Sequence, residues 1–177
     1  MPTVLSHAVA GLGIGAAFFG RKASGRTLAL GALCAVLPDA DVAGFPLGIR
    51  YGDLLGHRGL THSFAFAATL AALVTPLASS ESGLRRGKLW TYLFLATASH
   101  GLLDALTDGG LGVALLAPFD NTRYFFPFRP IKVSPIGIGR FFSQRGWAVM
   151  KSELLWIWLP SLALAGTAAI LRKDRPA

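Results

Sequence analysis

The sequence predicts an all-α, polytopic membrane helical bundle with four full spans plus a short broken helix, built as a single domain over residues 1–177. Three observations carry that prediction. Apolar residues make up 53% of the chain and charged residues only 15%, against about 25% charged in an ordinary soluble domain; the mean hydropathy is +0.52. The uncharged residues gather in runs at 4–20, 63–80, 89–103 and 154–171, each approaching the ~20 residues that an α-helix needs to cross a bilayer. The basic residues, in turn, cluster in the connections.

The first run, 4–20, reads as a retained helix. It lacks a basic leader and is followed by no small-x-small cleavage pattern. The stretch 27–37 is too short to span and stops at Pro38. It fits a half-length helix leaning on the first, because broken backbone is tolerated where protein covers it. Runs 63–80 and 89–103 supply the next two spans, and Gly109-Gly110 stops the latter. A long, partly irregular loop over 109–152 leads to the last span, 154–171. With alternating helices, Arg21, Lys22 and Arg26 share one side with Arg85, Arg86 and Lys88 and with Arg172, Lys173 and Arg175. The positive-inside rule makes that side cytoplasmic. A net charge of +8 suits an anionic surface, and hydropathy selects the lipid bilayer as partner. Nucleic acid is excluded, since no recognition module accompanies the basic residues. The single cysteine, Cys34, leaves no internal disulfide to form.

All four histidines lie near helix ends. His7 opens the first helix; Asp39 and Asp41 follow the second in Leu37-Pro38-Asp39-Ala40-Asp41. His57 and His62 precede the third in His57-Arg58-Gly59-Leu60-Thr61-His62-Ser63, and His100, Asp104 and Asp108 run along the end of the fourth. At 1.5 Å per residue, each helix lifts its His or Asp about 18–26 Å from the cytoplasmic turns, roughly two-thirds of the way across a ~30 Å core. The i, i+4, i+8 spacing places His100, Asp104 and Asp108 on one helix face. Unpaired carboxylates at that depth cost about 2.5–3.5 kcal/mol each. A cation removes that cost. The metal-ligand set is therefore His7, Asp39, Asp41, His57, His62, His100 and Asp104: nitrogen and oxygen donors without thiolate, suited to Zn, Mn or Fe(II) and numerous enough for two ions.

At these residues the sequence resembles the YdjM-like family, described as inner-membrane, metal-dependent hydrolases. Ser6-His7, Leu37 to Asp41, His57 to Ser63 and Ser99-His100-Gly101-Leu102-Leu103-Asp104 carry the resemblance. So do Arg123 to Ile131 and Ser134-Pro135-Ile136-Gly137. More remotely, His100-x-x-x-Asp104 is similar to the helical motif of the all-α zinc phospholipase C and nuclease superfamily, whose members hydrolyse phosphoesters. The resemblance implies a bacterial inner-membrane protein, and the basic turns at the opposite end put the site of this multi-pass chain toward the extracytoplasmic side.

The expected chemistry is hydrolysis by metal-activated water, with two ions ~3.5–4 Å apart holding nucleophile and leaving group. Asp108 is the candidate general base or outer ligand, and Glu153 a second candidate base, for which the role of a helix-start carboxylate favoured by the dipole carries more weight. Arg58, Arg123 and Arg129 are candidate clamps for a substrate phosphate and equally suited to lipid headgroups. Tyr124-Phe125-Phe126-Pro127-Phe128 reads as an interfacial anchor or a lid. A site opening at headgroup depth favours a lipid-borne or small phosphorylated substrate. The rival readings are a non-catalytic metal-binding membrane protein and a metal transporter. The latter is disfavoured because the cytoplasmic halves of the helices hold only Cys34 and Tyr92 as ionisable groups.

Overall fold

The structure, a computed structural model, describes residues 1–82, 84–134 and 143–173. Pro135, Ile136 and Gly137 of the family-like stretch, and Arg175 of the last basic cluster, lie outside the described residues. Helix α1 spans Val4–Phe19 and starts at Thr3, whose side chain accepts from the Ser6 amide. Helix α2 spans Gly25–Val36, capped the same way by Ser24 on Thr27. Such a cap satisfies one of the orphan donors of a first turn. Beyond Val36 the chain winds on as a 3-10 helix over Leu37–Leu47, since Pro38 has no N–H to continue the α ladder. Helices α3 (Phe64–Ser82) and α4 (Arg86–Ala105) follow. A final rod runs through α5 (Gln144–Glu153), a π-helical turn (Leu154–Trp158) and α6 (Leu159–Lys173). Pro160 just past the wide turn cannot donate to the Trp156 carbonyl, and wide turns commonly accommodate such a gap.

Among the described residues there is no strand; two isolated bridges, Thr107 with Ile131 and Val113 with Tyr124, tie down the loop that follows α4. Helix α1 is central, packing on α2, α4 and α6, while α3 packs on α4. Phe19, Cys34, Ala35, Ala71, Leu89, Tyr92, Leu93 and Ala96 form one buried apolar cluster between α1, α2, α3 and α4. Tyr92 crosses this cluster and donates from Oη to the Gly11 carbonyl at 3.2 Å. Its hydroxyl oxygen and ring lie where a Gly31 Cβ would be, 1.9 and 2.1 Å from that Cβ position. Small residues that let backbones approach are the usual glue between helices in lipid.

Three expectations are corrected. Among the described residues two helical stretches, Gly25–Leu47 and Gln144–Arg172, are long and apolar enough to cross a membrane, while Val4–Phe19 and Phe64–Ser79 are apolar but shorter. Helix α4 has 20 residues but carries Arg86 and Lys88 in its first turn and His100 and Asp104 near its end, so it is no uniform apolar span. Four full spans are therefore not met by length and apolarity. The stretch expected to be the short helix is one of the two that are long enough, because the 3-10 segment extends it. Lastly, the final helix begins at Gln144, so Glu153 lies at the end of α5 rather than at a helix start.

Gly31→Ala should push Tyr92 off its seat and cost about 1–3 kcal/mol, as overpacking does. Thermal unfolding in detergent should show a drop of several degrees, whereas Gly87→Ala, where an added Cβ meets nothing within 4 Å, should leave the midpoint in place. An unchanged midpoint for Gly31→Ala would contradict this α2–α4 packing.

Candidate metal centre

The end of the bundle away from the α1–α2 and α3–α4 turns collects the histidines. His7 lies in the first turn of α1, Asp39 and Asp41 on the 3-10 extension of α2. His62 ends a one-turn 3-10 helix, Leu60–His62, and His100 and Asp104 sit one turn apart on α4. That short helix reaches α4 because residue 101 is glycine: a Cβ there would lie 2.4 Å from the His62 carbonyl oxygen.

Asp39, His57, His62 and Asp104 each bring a ligand atom into a group spanning no more than 4.8 Å, and His7, Asp39 and His100 form a second such group. Asp39 belongs to both. His7, His100 and Asp104 are fully buried, and Asp39, the most exposed of the six, shows 5% of its surface.

The hydrogen bonds decide which nitrogen faces inward. His100 Nδ1 lies 2.7 Å from the Ala35 carbonyl and His57 Nδ1 lies 2.7 Å from Asp41 Oδ1; both partners only accept, so each Nδ1 carries the proton. Thr61 gives its hydroxyl proton to Asp41 Oδ2 at 2.7 Å, leaving its oxygen to accept from His62 Nδ1 at 3.0 Å. Three imidazoles thus turn Nε2 inward. Two of these, on His62 and His100, stand 3.1 Å apart, a separation that either a shared proton or a shared cation satisfies.

The acids tell the same story. Both oxygens of Asp39, both of Asp104 and both ring nitrogens of His7 are buried with no hydrogen-bond partner. Asp104 Oδ1 is 3.6 Å from His7 Nε2, and Oδ2 is 3.5 Å from His62 Nε2 and 3.0 Å from Arg58 Nε. Asp39 Oδ1 is 3.3 Å from His100 Nε2. Buried polar atoms in native proteins are satisfied, and a divalent ion satisfies carboxylate oxygens and imidazole nitrogens together. The residues fit such an ion, and the overlap at Asp39 fits a pair.

Other expected site residues fall elsewhere. Asp41 belongs to neither group: its carboxylate orients His57, Thr61 and His62 from behind. Arg58, fully buried with a left-handed φ of 64°, is committed to Asp104, the Gly109 carbonyl at 2.8 Å and Thr107 Oγ1 at 3.0 Å. It is no free phosphate clamp. Arg123 grips the carbonyls of His57, Tyr51 and Asp53 at 3.0–3.2 Å and so fixes the loop that carries His57. Arg129 is exposed, 4.8 Å above the Phe125 ring.

Asp108 is not on the His100–Asp104 face, because α4 ends at Ala105 and the chain turns away. Partial burial works to raise its pKa, but Lys132 Nζ and the Val133 amide, both at 2.8 Å, hold the carboxyl below its usual value. Glu153 is fully buried and accepts from the Thr3 amide (2.6 Å), Thr3 Oγ1 (2.5 Å) and Ser6 Oγ (2.6 Å). The 124–128 run leaves the site uncovered by any ring contact to its histidines: Tyr124 donates to Asp120 and Phe128 packs on Trp156. Sequence reasoning missed Thr61 and Thr107. Thr61 stands beside His62 in the motif and was within reach; Thr107 gives no signal beyond its place after Asp104.

Asp41→Asn should weaken divalent-metal affinity about 10–100-fold, the usual effect of losing a carboxylate behind a histidine ligand, read by competition with a chromophoric chelator. Asp108→Asn should leave affinity unchanged. Equal affinities for the wild type and Asp41→Asn would remove Asp41 from this role.

The model of the YdjM inner membrane protein family matches residues 1–175. The chain is 42% identical over 168 residues to inner membrane protein YbcI of Escherichia coli (strain K12), covering 94% of this chain and 96% of that protein. No solved structure matches. The match covers every histidine and aspartate of the two ligand groups, and the chain belongs to the YdjM inner membrane protein family.

Proposed function

We propose that this chain is one multi-pass inner-membrane domain, 1–177, acting as a metal-dependent hydrolase on a phosphoester of a lipid-borne or small phosphorylated substrate. The observation that carries the reading is the pair of ligand groups that share Asp39, with both oxygens of Asp39 and Asp104 buried and without a hydrogen bond. Zn, Mn or Fe(II) at such nitrogen and oxygen donors supplies water that ionises near neutral pH and a counter-charge for the leaving oxygen. Asp39, His57, His62 and Asp104 would hold one ion, and His7, Asp39 and His100 the other. Arg58 orients Asp104, Asp41 fixes the protonated nitrogen of His57 and His62, and Arg123 holds the His57 loop.

The surroundings support a membrane-borne substrate. Around the site end, Leu47 (81% exposed), Leu55, Leu111, Phe119 (90%) and Phe128 leave large apolar faces outward, as a surface seated among lipid headgroups does. Lys22, Arg26, Arg85, Arg86 and Lys88 lie at the turns of the opposite end, which the positive-inside rule assigns to the cytoplasm; the site then faces outward. Beneath the site, the Phe19–Tyr92–Leu93 cluster interposes apolar side chains, which argues for a closed pocket over a conduit.

One observation favours a second reading, a non-catalytic metal-binding membrane protein: all six ligand side chains are buried. Elemental analysis of detergent-purified protein, combined with assays on phosphatidic acid in micelles and on p-nitrophenyl phosphate, separates the two. The hydrolase reading expects bound transition metal and turnover of at least one ester, lost by a factor of 10² or more in Asp104→Asn. Bound metal without turnover, and a lower unfolding midpoint in Asp104→Asn, would establish the second reading. Protein purified and reconstituted with Zn, Mn and Fe(II) that retains none would end both.

A further inference from the structure

We infer that Arg58 makes occupation of the second ligand group conditional on an oxyanion, so that one divalent ion binds alone and the second binds together with a phosphate group. This rests on the metal-centre reading above and adds to it the order in which the centre fills.

Charge and its partition between the groups carry the inference. Among the side chains of the two ligand groups and those in direct contact with them, the charged ones are three carboxylates, Asp39, Asp41 and Asp104, and one guanidinium, Arg58. His57, His62 and His100 each turn Nδ1 to an acceptor, which leaves Nε2 as the atom that would face an ion. Two negative charges remain, and one divalent ion cancels them. Arg58 cannot swing away to make room for more positive charge. It is fully buried, and three of its atoms are held by Asp104, Gly109 and Thr107. Glu153, also fully buried, is bonded to Thr3 and Ser6 and to no member of either group.

The groups are also unequal. Asp39, His57, His62 and Asp104 include two carboxylates; His7, Asp39 and His100 include one, and it is shared. An ion in the three-residue group therefore brings two positive charges to a buried place that supplies no carboxylate of its own. Uncompensated charge there is costly. Three protein donors also leave a coordination position open, as in catalytic sites. A phosphate dianion meets both needs, in charge and in donor atoms. By linkage, the ion must raise phosphate affinity by the factor with which phosphate raises that of the ion.

The test uses the full-length protein in nanodiscs of a zwitterionic lipid, titrated with Mn(II) while free Mn(II) is counted by electron paramagnetic resonance. Three conditions are compared: no added anion, micromolar inorganic phosphate, and phosphatidic acid included in the disc. One tight equivalent without anion, and a second whose affinity rises at least tenfold with phosphate or phosphatidic acid, is the expected result. A response to phosphatidic acid alone assigns the oxyanion to a lipid headgroup; a response to inorganic phosphate assigns it to a soluble source. Arg58→Gln, which restores one negative charge, should take up the second equivalent more readily without anion. Should that variant fail to fold, the wild-type titration decides. Two tight equivalents with no anion, or one equivalent under every condition, overturns the inference while leaving the metal centre standing; no bound manganese, zinc or iron overturns the centre itself.

Discussion

Asp104 is a fully buried carboxylate one helical turn beyond His100, and the rest of the structure is arranged to tolerate it. Its oxygens face His7 from α1, His62 from the one-turn 3-10 helix, and Arg58 from the loop between the α2 extension and α3. The guanidinium that answers it runs on to Thr107 and Gly109, and Thr107 in turn donates to the Asp104 carbonyl at 2.7 Å. One charge thus ties together α1, α4, the 48–59 loop and the turn after α4. Breaking one side of a buried ion pair costs about 3–5 kcal/mol, which makes the backbone irregularity around Arg58, with its left-handed φ, tolerable: the pair holds the residue where its own preference would not.

Helix α1 has to present His7 to that charge, and its placement is enforced from two directions. Toward the site, Glu153 accepts from Thr3 and Ser6, and Trp158 donates to Ser6 at 2.9 Å, so the first turn is clamped to the final rod at its π-helical turn. Toward the opposite end, glycine faces let α2 and α6 come close: Cβ atoms on Gly11 and Gly13 would stand 2.9 Å from Ala35 Cβ and 2.8 Å from Ser161 Cβ. The register of His7 against His100, whose rings stack with centroids 3.6 Å apart, is then set by packing and not by the imidazoles themselves.

The sequence made the centre legible because the chemistry of its residues is out of place in an apolar chain. Histidines and aspartates at the ends of uncharged runs have few reasons to be there, and helix rise alone brings them to one level; the convergence of His7, Asp39, His57, His62, His100 and Asp104 follows. What was not legible depends on where helices stop and on which partner a polar group finds. Asp108 keeps the i+8 spacing but loses the face, because Thr107 and the following glycines turn the chain after Ala105. Arg58 reads as a clamp for a substrate phosphate or a lipid headgroup, and no periodicity discloses that it is buried with Asp104. Asp41 carries the same chemistry as Asp39 two residues earlier, and only the positions of His57 and Thr61 tell a ligand from the group behind it. Glu153 reads as a helix start because the uncharged run begins at the next residue, whereas the helix itself extends back through polar residues to Gln144.

Irregular backbone near a membrane is bearable only where protein satisfies it, and here it is satisfied by the site's own supports. The Arg58 carbonyl accepts from the Ala114 amide and the Leu115 carbonyl from Phe64, while Arg123 gathers three further carbonyls of the 51–57 loop. The groups that position the histidines are thus the same groups that pay for leaving helical geometry. This explains why the loop layer sits at one end and the apolar Phe19–Tyr92–Leu93 cluster at the other: hydrogen-bonding side chains concentrate where the donors converge, and the remainder of the bundle is held by close packing of small and apolar residues. Leaving α-helical geometry at Pro38 carries Asp39 toward Asp104, which α4 itself presents; leaving it after Ala105 supplies the Thr107 and Gly109 oxygens that hold Arg58.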